Sequence, residues 1–112
     1  MLQAAIALLG IAALTAMSLR ANQRFKGEDR LPMQWWLDGS VNWTAPRQIA
    51  LAFTPVLGTF CLLGAAALTT LTPQRTGQEG LVIPANIAMA VVFVGAHAFH
   101  LWMIERTIHP RH

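Results

Sequence analysis

Charge is scarce in this chain. Its 112 residues are 54% hydrophobic and only 12% Asp, Glu, Lys or Arg, too little charge to cover an ordinary soluble domain of this size. Cysteine is nearly absent as well. The single Cys61 stands in an apolar run, which excludes an intrachain disulfide framework and a Cys-rich zinc site and leaves it as a small core residue, with a lipid-facing or reactive thiol as the alternative. Catalytic signatures are also missing. There is no Gly-rich phosphate loop, no serine elbow and no pair of carboxylates inside an apolar stretch, so phosphate cradling, elbow-serine acyl transfer and acid-base dyads have no carrier. All five acids, Glu28, Asp29, Asp38, Glu79 and Glu105, fall between the apolar stretches or at their ends. The expectation is a chain that is not an enzyme.

What the chain does have is three long apolar stretches, Met1 to Leu19, Gln48 to Leu71 and Leu81 to Ile104. At about 1.5 Å per residue, each reaches across a hydrocarbon core of about 30 Å. Backbone polar groups in lipid must be paired within the segment, so the stretches are read as helices. The opening Met1-Leu2-Gln3-Ala4 lacks the basic region of a signal peptide, which favours a retained helix. The expected fold is an all-α membrane protein: one integral membrane domain over residues 1–112, with helices at about 1–20, 48–71 and 81–104 and a Trp-rich, Pro/Gly-containing loop between the first two. Pro55 is expected to kink the second helix, and Pro84 is tolerated near the first turn of the third. Thr72 to Gly80 reads as a turn. Small residues spaced for helix packing are Ala12 with Ala16, Thr54 with Gly58 and, more loosely, Ala85 with Ala88. They suit packing inside the unit, self-association or contact with other membrane subunits.

The net charge of +3 and pI near 10.6 do not point to nucleic acid, because the basic residues flank the apolar stretches instead of clustering on a polar face. That placement fits lipid head groups. Three spans put the first loop and the C-terminus on one side, which holds Arg20, Arg24, Lys26, Arg30, Arg47, Arg106 and Arg111 against Arg75 on the other. Seven basic residues against one predict a cytoplasmic loop and C-terminus with the N-terminus outside. Trp35, Trp36 and Trp43 in the loop and Trp102 near the end of span three suit the head-group level.

The loop carries the candidate site. Pro32 and Pro46 bracket a stretch in which Gly39 permits a tight turn, with Asp38 or Ser40 bonding to local backbone. Thr44 is placed to cap helix two, with Pro46 in its first turn. Pro32, Trp35, Trp36, Asp38, Gly39, Asn42, Trp43 and Arg47 are the candidate interfacial or partner-binding residues. Here the chain resembles an uncharacterised bacterial membrane domain family, also found at the front of SdpI-type immunity proteins. That family's loop reads Pro-x-His-Trp-Asn-x-x-Gly-x-x-Asp, followed five residues later by Lys or Arg. Pro32, Trp35, Gly39 and Arg47 match it in spacing, Asn42 stands where the acid usually does, and Pro55 echoes a proline in the following helix. Gln34 replaces the usual histidine and Trp36 the usual Asn or Asp. The resemblance covers about 40 residues and implies a multi-pass protein of the bacterial cytoplasmic (inner) membrane. Members with a basic N-terminus place this loop outside the cell, the reverse of what the charge count predicts here.

The remaining candidates are His97 and His100, which share a face of helix three. Imidazoles in an apolar helix suit ligation of a metal or a haem held between helices. The competing reading is hydrogen bonding to Thr or backbone on a neighbouring helix. No Cys or acid row completes a metal site, and His109 and His112 are expected in solvent. Three functions follow as expectations: a non-catalytic structural, assembly or accessory subunit of a larger membrane complex, an SdpI-like immunity or signalling protein whose loop binds a peptide or toxin, and a haem- or metal-binding electron-transfer subunit.

Overall fold

The computed structural model describes residues 2–74 and 76–109. Met1, Arg75, Arg111 and His112, which enter the span, charge and tail readings above, lie outside the described residues. In chain order the elements are helix α1 (Leu2–Arg24), strands β1 (Arg30–Trp35) and β2 (Val41–Pro46), helix α2 (Arg47–Leu71), and a short 3-10 turn (Glu79–Leu81) that runs into helix α3 (Val82–Ile108). All three helices are long and apolar enough to cross a membrane. Most of each faces away from the interior, and large side chains such as Leu9, Phe60 and Val91 are exposed. An aqueous surface of this kind is unusual for a soluble chain, whereas hydrocarbon accommodates it.

Two buried clusters hold the helices together. Near the middle and far end, Ala7, Leu14, Leu62 and Ala66 gather Ile11, Met89, Ala90, Phe93 and Val94 around them. Close approach is decided by two glycines. A Cβ at Gly58 would lie 2.6 Å from Leu14 Cδ1 and 3.3 Å from Phe93 Cδ1, and one at Gly10 would lie 2.9 Å from Leu62 Cδ1. Ala12 and Ala16 are exposed, so the predicted close face on α1 is corrected: Gly10 provides it. The second cluster, Ala21, Phe25, Leu31, Ala45, Ala50, Leu51 and Ile104, joins the helices to the strands.

Those strands correct the all-α expectation. β1 and β2 form an antiparallel hairpin with partners Arg30↔Pro46, Leu31↔Ala45, Pro32↔Thr44, Gln34↔Trp43 and Trp35↔Val41. Met33 on β1 and Asn42 on β2 are passed over in this register, so two bulges compensate and pairing resumes beyond them. Prolines within strands and this broken alternation hide the hairpin from a periodicity argument. Thr44 is corrected too. The residue preceding α2 is Pro46, with no side-chain capping bond, while the Thr44 hydroxyl in β2 accepts from Arg30 Nε at 2.8 Å. Helix ends shift as well: α1 continues four residues past position 20 and α3 four past position 104.

Candidate functional site

The hairpin turn follows from its sequence. Trp36 O accepts from Gly39 N–H at 2.9 Å and Trp36 N–H donates to Ser40 O at 2.8 Å, with Gly39 at φ +89°. This is a tight turn followed by a glycine bulge, which only glycine enters without a steric cost. Asp38 Oδ1 accepts from both Ser40 N–H (2.9 Å) and Ser40 Oγ (2.7 Å). The Ser40 hydroxyl, followed by the Ser40 amide, holds the Asp38 carboxyl below its ordinary value, because both donors favour the ionised form.

The hairpin is braced at its base and along β1. Arg47, the first residue of α2, donates from Nε to Asn22 Oδ1 at 2.9 Å and from Nη1 to Lys26 O and Glu28 O, each at 2.8 Å. Its own amide donates to Asp29 O. One guanidinium thus closes the chain between α1 and β1. Trp35 donates from Nε1 to Thr107 Oγ1 on α3 at 3.0 Å and meets His100 edge-on at 5.8 Å. His100 Nε2 lies 3.3 Å from Pro32 O, and since a carbonyl only accepts, Nε2 carries the proton there. On the solvent side of the hairpin, Gln34 Oε1 accepts from Asn42 Nδ2 and Trp43 Nε1, both at 2.9 Å. Among the described residues the side chains at the tip have no such brace: Trp36 is 60% exposed and Leu37 fully exposed.

Of the eight loop candidates, Pro32, Trp35 and Arg47 thus join the hairpin to the helices. Asp38 and Gly39 shape its turn, Asn42 and Trp43 bond across its face to Gln34, and Trp36 stands free at the tip. Trp102, on the exposed flank of α3, is covered by Arg106 at 4.8 Å.

His97 sits deeper and is fully buried. Its Nε2 lies 2.7 Å from Ser18 Oγ on α1, which is also 2.7 Å from Leu51 O on α2. The serine has one proton and the carbonyl can only accept, so Ser18 donates to Leu51 O and accepts from His97 Nε2–H. Three helices are joined by one polar chain. Its direction is the reverse of a serine nucleophile deprotonated by histidine. His97 Nδ1 is buried without a partner among the described residues. Those residues hold no group of three or more His, Cys, Asp or Glu placed to share a metal ion.

Sequence reasoning passed over two of these contributors. Ser18 stood out only as a polar residue in an apolar run, and its partner is 79 positions away. Asn86, buried in α3, donates to Val82 O at 2.8 Å and Thr69 Oγ1 at 3.3 Å; an Asn in so apolar a run was the available signal. No family model, no curated protein and no solved structure matches this chain.

Proposed function

We propose that this chain is a small non-catalytic membrane protein that serves as an accessory or assembly subunit and offers its hairpin tip to a partner in a larger membrane complex. One observation carries the reading: a hairpin braced at its base by Arg47, and along β1 by the contacts of Pro32 and Trp35 with α3, leaves Trp36 and Leu37 exposed at its end. Rigid presentation of a large aromatic and an aliphatic side chain is how interface anchors act at low entropic cost. The exposed apolar helix surface supports residence in a bilayer, and the seven-to-one basic bias supports a cytoplasmic hairpin with the N-terminus outside. The loop's likeness to the domain at the front of SdpI-type proteins supports a bacterial inner membrane. It also supports the alternative in which the tip binds a peptide or toxin. Haem or metal ligation by His97 or His100 is the second alternative, and a visible absorption spectrum of the purified protein tests it.

The deciding experiment is purification in mild detergent with identification of co-purifying proteins, for the unaltered chain and for Trp36→Ala and Leu37→Ala. The expected outcome is normal membrane abundance with loss of the same partner in both variants. Undiminished partner recovery in both would overturn the proposal, and recovery of a peptide or toxin instead of a membrane complex would select the immunity reading.

A further inference from the structure

Among the described residues, the arginines are spoken for with two exceptions. Arg47 has three acceptors, Arg30 bonds to the Thr44 hydroxyl and carbonyl, and Arg106 lies over Trp102. Arg20 and Arg24 have no hydrogen bond and no carboxylate within 4.0 Å among the described residues; Arg24 only approaches the Phe25 ring, at 6.0 Å. The acid nearest in sequence on α3, Glu105, lies 3.4 Å from His109 through Oε1, and its Oε2 is buried without a partner among the described residues. The two free guanidiniums are one helical turn apart on the same face. Together with Met17, Ala21 and Leu101 they line a cleft of about 180 Å³ between α1 and α3.

A second cavity is in line with the first. An apolar groove of about 510 Å³ lies along the same pair of helices, lined by Ile6, Gly10 and Ala13 of α1 and by Val91, Val94 and Gly95 of α3. On α1, positions 6, 10, 13, 17, 20 and 24 alternate steps of four and three, so they form one stripe. On α3, positions 87, 91, 94 and 101 follow the same kind of stripe. The arginine cleft therefore lies in line with the groove, and the stretch from Ile6 to Arg20 along which the two are placed is about 20 Å of α1.

We propose that the cleft and the groove in line with it together bind one anionic phospholipid, with its headgroup phosphate held by Arg20 and Arg24 and an acyl chain lying along Gly10, Ala13, Val91 and Gly95. The chemistry at each end selects the occupant. Planar guanidiniums offer paired N–H donors that match phosphate oxygens. Met17 and Leu101 in the cleft suit the upper part of an acyl chain, and a wholly apolar groove admits a methylene chain but gives a soluble anion nothing to bind. A free phosphate would use the cleft and leave the groove empty. The inference does not depend on the hairpin's role or on which side of the membrane it faces.

The test uses the full chain in nanodiscs of phosphatidylcholine with a minor fraction of phosphatidylglycerol, with retained lipid counted by native mass spectrometry after extraction. The unaltered chain is expected to retain phosphatidylglycerol in preference to phosphatidylcholine. Arg20→Gln with Arg24→Gln is expected to lower that preference by roughly tenfold or more, from about a fivefold contribution per basic residue. Lys26→Gln with Arg106→Gln removes the same charge from outside the cleft and is expected to change it much less. Gly95→Leu fills the groove, because a Cβ there meets nothing within 4 Å; it should release the lipid while the chain stays folded. Equal losses in the two charge-matched doubles would reduce the site to diffuse attraction and overturn the proposal. So would unchanged retention in Gly95→Leu, or displacement of the lipid by millimolar inorganic phosphate.

Discussion

The two ends of the helical unit are held by different forces. At the hairpin end, Arg47, Trp35 and His100 tie strands to helices by hydrogen bonds around a buried Phe25 and Leu31. At the other, Gly10 and Gly58 let helices approach closely and the contacts are almost wholly apolar. The difference is what the proposed residence of the apolar helices in a bilayer would demand. Where water can compete, burying apolar area drives association and polar groups need specific partners; where lipid surrounds the helices, that drive is absent and close packing replaces it. Ser18, Leu51 O and His97 lie where the two regimes meet.

Breaking the hairpin end should have the largest effect. Arg47→Ala removes three side-chain bonds and leaves Lys26 O, Glu28 O and Asn22 Oδ1 without that donor, a loss of about 3 kcal/mol for a charge-assisted fork. Arg47→Lys should recover little of this, since a single ammonium cannot span the same three acceptors. The measurement is resistance to unfolding in mixed detergent, read by Trp fluorescence, with Arg47→Lys behaving nearly like the unaltered chain as the outcome that would refute the clamp.

The apolar end is probed by Gly58→Val. Its branched side chain would press on Leu14 and Phe93, and overpacking of this kind costs about 1–3 kcal/mol. Leu14→Ala made together with it frees the space taken by Leu14 Cδ1, so partial rescue is expected in the same unfolding assay. Without any rescue, close approach at Gly58 would not be what holds α1 and α2 together.

The contrast between the ends also explains what was legible in the sequence. Spans at the lipid-like end announce themselves by length and absence of charge, and Gly58 was visible through its spacing from Thr54. The hairpin was not, because Pro32 and Pro46 argue against strands and the Met33 and Asn42 bulges break the alternation that would have revealed it. Asp38-Gly39 between aromatic and β-branched residues was the one local cue. Helix ends were misplaced by four residues for a related reason: the polar residues after Leu19 and Ile104 end the apolar run, yet Arg, Gln and Glu among them form helix readily. His97 was legible as an anomaly, but its bond to Ser18 depends on tertiary packing that no local pattern carries.

At the junction, Ser18→Ala tests whether the polar chain stabilises the helices. It strands His97 Nε2–H in the interior, at a cost of about 1–2 kcal/mol. Adding His97→Leu removes the orphaned donor as well, so the double variant should be more stable than Ser18→Ala alone. A double variant less stable than either single change would show that His97 has partners beyond Ser18.

The smallest effect should come from the exposed hairpin turn, where only Asp38 responds to pH. Its carboxyl titrates below the ordinary value because it accepts from the Ser40 hydroxyl and amide. A depressed native value means that the stabilisation is complete above the unfolded carboxyl's pKa and is lost as pH falls through the lower native one. The turn should therefore hold at neutral pH and loosen only in acid below the usual carboxylate range. Amide chemical shifts of Gly39 and Ser40, followed from neutral to strongly acidic solution, are expected to move in a single step there. Asp38→Asn retains an oxygen acceptor but cannot ionise, so the turn should persist and the step vanish. Asp38→Ala should give the loosened shifts at every pH. A step that survives in Asp38→Asn would assign the titration to another group and would leave the turn resting on Gly39 and its backbone bonds.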